Sequence, residues 1–132
     1  METYFAKVKN FLLDLEYNIV SENKEDEIFV VDNEEAGISN MMIVCAEPIL
    51  VMEQYLFDIK KEDINVFRNL LQKNRDIIHG AFVLDETGKK VLFRDTLQLE
   101  NLDLNELEGS LNSLSLLLSE YTKEILAYST IA

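Results

Sequence analysis

Three strand-like runs lie between residues 27 and 59 with only short breaks between them, and they constrain the fold more than any other feature. "EIFVVD" (27–32) is rich in β-branched and aromatic residues, and the "NEEAG" that follows reads as a turn. "ISNMMIVCAE" (38–47) has the composition of the returning strand. After Pro48, "ILVMEQYLFDI" (49–59) resumes, with Ile49, Val51, Tyr55, Phe57 and Ile59 on one parity. Proline is confined to strand edges and bulges, so the sequence predicts a turn or bulge at residue 48.

Helical periodicity brackets these runs. Phe5, Val8, Leu12 and Leu15 recur at helical spacing over residues 3–16. Asp63 is placed to cap a helix over 64–76, whose inward face is expected to carry Ile64, Phe67, Leu70 and Leu71, with Ile78 beyond it. Ala81 to Leu84 and Val91 to Arg94 alternate on either side of "DETGKK", which predicts a β-hairpin. A long helix follows in "LDLNELEGSLNSLSLLLSEYTKEILAY", with Asp103 and Glu106 as a capping pair. Leu107, Leu111, Leu114, Leu118, Tyr121, Ile125 and Tyr128 run along it at alternating four- and three-residue steps, and Leu116 and Leu117 widen the stripe. That rhythm suits a coiled-coil seam between subunits or a face packed on the chain's own sheet, and the extra leucines favour the sheet. The expectation is an α+β fold, an antiparallel sheet of about five strands in the order α-β-β-β(-β)-α-β-β-α. Its 132 residues form one domain, 1–132, large enough for a core without disulfides or metals.

Charge narrows the function classes. A net charge of −13 sets the chain against phosphate backbones and anionic membranes, so neither nucleic acid nor a membrane is an expected partner. No stretch approaches the roughly 20 apolar residues of a membrane span, and the N-terminal segment lacks the apolar run of a signal peptide. One cysteine, Cys45, fits a reducing compartment, and a cytoplasmic location is expected. Residues 14 to 35 carry nine carboxylates against Lys24 alone. Such a run is either a surface for a basic partner or a set of solvated turns.

The residues able to do chemistry do not form a site in the sequence. His79 has no nucleophile in a recognisable motif near it and reads as a hydrogen-bonding residue at a helix-to-strand junction. "ETGKK" lacks the first glycine and the Ser/Thr of a phosphate loop and precedes a strand, so it reads as a hairpin turn. Asp85 and Asp95 flank the hairpin and could be neighbours across it, though carboxylates near turns are usually solvated. Cys45 lies in an apolar run and reads as a buried small hydrophobe. No metal, no cofactor and no enzymatic activity are expected. The methionine-containing run of Met41, Met42 and Met52 suits an adaptable binding surface or ordinary core filling.

Two stretches resemble YbjN-like proteins. In "AGISNMMIVCAEPILVMEQYLF" a strand with a small residue or cysteine leads through a proline into a second apolar strand. In "NRDIIHGAFVLDETGKKVLFRDTLQLENLDLNELEGSLNSL", Asn74 closes a helix ahead of Gly80, and a hairpin keeps Leu84, Asp85, Gly88, Val91, Phe93 and Arg94 before the last helix. That group is similar in fold to the class I type III secretion chaperones of the Tir-chaperone type. The resemblance implies a bacterial, non-enzymatic, homodimeric protein that binds an extended segment of a client protein. A regulatory or scaffold subunit in stress or sensory signalling, with one folded partner, is the alternative. The candidate interaction surface is Met41, Met42 and Met52 together with Glu25, Asp26, Glu34 and Glu35.

Overall fold

The computed structural model describes residues 2–131. Helix α1 (Tyr4–Asp14) opens on Thr3, whose hydroxyl accepts the Ala6 N–H, and it buries Phe5, Val8 and Leu12. Six strands follow in a mixed order with two further helices: β1 (Asn18–Asn23), β2 (Ile28–Asn33), β3 (Ile38–Ala46), β4 (Ile49–Asp58), α2 (Ile64–Asn74), β5 (Ala81–Leu84), β6 (Lys90–Gln98) and α3 (Leu104–Ser129). All neighbours in the sheet are antiparallel, in the order β1-β2-β3-β4-β6-β5. The α+β class and helix order match the sequence expectation, with one strand more than the expected five or so.

The additional strand is β1, "NIVSEN". Only Ile19 of its six residues is even half-buried, so it carries no alternating apolar signal. Backbone pairing with β2 makes it a strand, and the chain enters it through Glu16 at φ 63°.

One face of the sheet carries the core. Phe29, Val31, Met41, Ile43, Leu50, Met52 and Phe93 pack there against α1 and α3. Phe5 of α1 stacks on Phe29 with ring centroids 4.3 Å apart. In β4 the inward residues are first Leu50, Met52 and Gln54, then Phe57. A register shift between Tyr55 and Phe57 switches the parity. The single parity expected for Ile49, Val51, Tyr55 and Phe57 is therefore broken, and only Phe57 of the four is fully buried.

Helix α3 places its four-three stripe on this chain's own sheet. Leu107, Leu111, Leu114 and Leu117 are buried, and Leu118, Tyr121, Ile125 and Tyr128 pack at the margin of the same core. Leu116, expected to widen the stripe, is 67% exposed. The helix bends at Tyr121 (φ −109°, ψ 15°), where the Thr122 hydroxyl donates back to the Leu118 carbonyl.

Helix α2 departs furthest from expectation. Its cap is as expected, with Asp63 accepting the Asn65 N–H at 2.8 Å. Its buried residues are Val66 and Leu70, with Phe67 half-buried, while Ile64 and Leu71 are each 71% exposed and Ile78 is 89% exposed. The helix lies along β5, one of the two edge strands, and so buries a narrow stripe.

Candidate protein-interaction surface

The seven residues singled out in the sequence do not share one surface. Met41 and Met52 are core side chains, each 1% exposed, and face the helices. Met42 points the other way and is 42% exposed. In the register it stands between Val30 of β2 and Glu53 of β4, on a sheet face where Val30, Val44 and Val51 are half-buried. Glu53 continues the row to Arg94 of β6, with Nε and Oε1 3.4 Å apart. Glu25 and Asp26 are exposed in the turn before β2, and Glu34 and Glu35 are exposed in the turn after it. Six strand residues separate the pairs, about 20 Å at the usual rise, so the acidic run forms two poles.

The candidate chemical groups are scattered. His79 is exposed, and its backbone carbonyl accepts the Ser113 hydroxyl at 2.8 Å. Asp85 belongs to the hairpin turn, where one carboxylate oxygen accepts the Thr87 hydroxyl at 2.7 Å and the Lys89 and Lys90 N–H groups at 3.3 Å. The Thr87 hydroxyl, with those backbone groups, holds its carboxyl below the usual range. Asp95 is not its neighbour: Leu84 pairs with Val91 and Ala81 with Arg94, which puts Asp95 past the far end of β5. Burial, with Glu27 nearby, pushes the Cys45 thiol up to about 12. A thiol that stays protonated is a poor nucleophile. Among the described residues no group of three or more His, Cys, Asp or Glu could hold a metal ion, and no helix is long and apolar enough to cross a membrane.

Several exposed large apolar residues, Ile64, Leu71, Ile78, Leu84 and Leu116, line grooves on and beside α2 and the connector that follows it. The connector, 75–80, is tied at both ends. At its start, Asn74 Nδ2 donates to the Phe82 carbonyl at 3.1 Å and Asn74 Oδ1 accepts the Phe82 N–H at 2.8 Å. At its end, Gly80 sits at φ +85° with its Cα against the Phe93 ring, where an added Cβ would come within 2.3 Å of Cζ. The bond from Ser113 to His79 joins the middle to α3. Ile77, Ile78, Leu116, Leu117 and Tyr121 line a groove of about 330 Å³ between connector and helix, with Asp76 and Glu120 also in its lining. A second apolar groove of about 280 Å³ runs between α2 and the β5–β6 hairpin, lined by Phe67, Leu70, Leu71, Phe82 and Leu84 among others.

Comparison with known proteins decides the family. The sequence profile of the CesT_Tir_1 family matches residues 1–131. The chain belongs to the CesT_Tir_1 family. No curated protein matches it in sequence. Among solved structures it is similar to YbjN of E. coli, described as a putative transcription regulator, with a TM-score of 0.71 at 11% identity over 93% of each chain. The HopA1–SchA chaperone–effector complex aligns with a TM-score of 0.66 at 13% identity, covering 90% of this chain and 94% of the other. The Yersinia pestis type III secretion chaperone SycH, solved with a fragment of YscM2, aligns with a TM-score of 0.62 at 17% identity, over 96% and 100%. At these identities the shared property is the fold.

Within the CesT_Tir_1 fold, the surface residues that sequence reasoning missed are Ile64, Leu71, Ile78 and Leu116, all expected to be inward or part of an inward stripe. The sequence carried a signal for the first three of them and none for Leu116. Ile77 and Ile78 are adjacent in a loop, and Ile64 and Leu71 stand a heptad apart beside a sufficient core set of Val66, Phe67 and Leu70.

Proposed function

We propose that this CesT_Tir_1 protein is a non-enzymatic, chaperone-like module that binds an extended segment of a client protein, and that it acts as a homodimer. The observation that carries this reading is the set of large apolar side chains held in solvent by ordered elements: Ile64 and Leu71 on α2, Ile78 on the tied connector and Leu116 on α3. Burying one such side chain contributes about 1.5–3 kcal/mol, which makes a stable partner for this surface favourable. An extended client can lay side chains into the grooves flanking α2 and add main-chain hydrogen bonds at an open sheet edge. Met42 on the open sheet face supplies an adaptable contact. The buried, unpaired Cys45 supports a reducing, cytosolic setting.

The outer face of α2 supplies the dimer surface in this reading. Ile64, Arg68, Leu71, Gln72 and Arg75 line it. Glu62 and Asp63 precede the helix, and Arg75 follows its last residue. Two copies packed antiparallel would set the acidic start of one helix beside the basic end of the other, a self-complementary arrangement of the kind a two-fold axis requires.

Light scattering after size-exclusion chromatography tests both parts. The wild-type protein is expected to run as a dimer, and the variant Ile64→Ser with Leu71→Ser as a folded monomer. Titration with a panel of unstructured peptides then reads client binding. A protein that binds no peptide of any composition would overturn the client reading, and selective capture of a single folded partner would favour the regulatory alternative.

A further inference from the structure

The connector groove has features that general stickiness does not explain. Ile78 is 89% exposed although the backbone on both sides of it is held in place. Asn74 grips Phe82 ahead of it, the His79 carbonyl is bonded to Ser113, and Gly80 lies flat against the Phe93 ring. Across the groove Leu116 stands out from a helix whose opposite face is core, and Leu117 and Tyr121 complete the apolar wall. Such a surface loses little entropy on binding, because its own ordering precedes the encounter.

Carboxylates outnumber cations in the groove lining. Asp76 and Glu120 line the groove, and His79 is its only basic lining residue. Lys73 sits over the aromatic rings behind the groove wall, its Nζ 5.2 Å from the Tyr121 ring centroid and 5.9 Å from that of Tyr128, and is engaged there. Glu124 adds a further carboxylate acting on Tyr121. The outer face of α2, by contrast, presents Arg68 and Arg75 and no carboxylate. The two apolar surfaces on either side of this corner therefore ask for partners of different charge.

We infer that the groove between the 75–80 connector and α3 is a docking site for a client segment carrying a large apolar side chain next to a lysine or arginine. The apolar side chain lies between Ile78 and Leu116, and the cation meets Asp76 and Glu120. This rests on the client-binding reading above and specifies where one contact is made and with what chemistry.

Fluorescence anisotropy with the full chain and two labelled, unstructured peptides tests it. Both peptides carry the same leucines, flanked by arginine in one and by glutamate in the other. Wild type should prefer the arginine peptide by about tenfold or more, the size expected when a contact is decisive. The variant Ile78→Ser with Leu116→Ser should lose binding to both. The variant Asp76→Lys with Glu120→Lys should reverse the preference. All four side chains are exposed, so the variants should keep the wild-type circular dichroism and melting behaviour. Equal affinity for the two peptides, or binding that none of the variants alters, would overturn this docking site while leaving a client site elsewhere. Failure of wild type to bind either peptide, or any other unstructured peptide, would overturn the broader reading with it. If the Ile78→Ser, Leu116→Ser protein instead becomes monomeric, the groove belongs to the dimer contact and the inference falls.

Discussion

The side chain of Asn74 takes both backbone polar groups of Phe82, donating to its carbonyl at 3.1 Å and accepting its N–H at 2.8 Å. An asparagine thereby acts as an extra strand residue along the outer edge of β5 and joins the end of α2 to the sheet. Each bond contributes about 0.5–1.5 kcal/mol, and an orphaned, part-buried partner costs more. Asn74→Ala should lower stability by about 1–3 kcal/mol in a denaturant titration. Asn74→Asp should not restore it, since a carboxylate accepts the N–H but faces the Phe82 carbonyl with no donor.

Gly80 and Gly88 separate two causes of glycine dependence. Both have positive φ, +85° and +72°, but only Gly80 has a neighbour, the Phe93 ring, in the place of a Cβ. Gly88→Ala should cost about 1 kcal/mol, from backbone strain alone. Gly80→Ala should cost about 2 kcal/mol or more, because the ring must also move. Equal melting shifts for the two variants would contradict this account.

The hairpin region gives an acid dependence of known sign. Hydrogen bonds from Lys90 and then Tyr55 hold the Asp58 carboxyl below its ordinary value of 3.8, and the Thr87 hydroxyl does the same for Asp85. A carboxyl with a lowered folded-state pKa adds stability above its unfolded value and loses it as pH falls through the folded one. Thermal melting of wild type and Asp58→Asn should therefore differ at neutral pH and converge below pH 3.8. Lys90 shifts upward, chiefly through Asp58, so its share is lost only as pH rises above its ordinary 10.5. Both groups are solvent-exposed, and added salt should shrink the difference.

Cys45 should be silent toward thiol reagents in the native protein. Burial, with the Glu27 charge, raises its pKa to about 12, so almost no thiolate exists at pH 8. Alkylation followed by mass spectrometry should show no modification until denaturant is added. Rapid labelling of the folded protein would contradict the burial of β3 against the helices.

Most of the elements were legible because they rest on local signals. The first helix rests on its apolar spacing, Asp63 and Asp103 cap the other two through a side-chain oxygen, and the "DETGKK" turn closes on the Asp85 carboxylate. β1 was not legible, since "NIVSEN" has no buried face and exists through backbone pairing with β2. The acidic residues were visible as a run, but a strand of six residues divides them between two ends of the sheet. The methionines were visible as a group, but the alternation of β3 sends Met41 inward and Met42 outward.

By itself, the sequence determined that this chain is α+β, where its helices start, and that one hairpin turns on an Asp-to-Gly segment. Those are properties of periodicity and of side chains reaching their own backbone. Only the tertiary structure decided that Ile64, Leu71, Ile78 and Leu116 stay in solvent. Periodicity states that a helix has an apolar face, but the width buried depends on what lies opposite. Helix α2 lies along an edge strand of the sheet and covers a narrow stripe there, so part of its apolar surface is left in solvent.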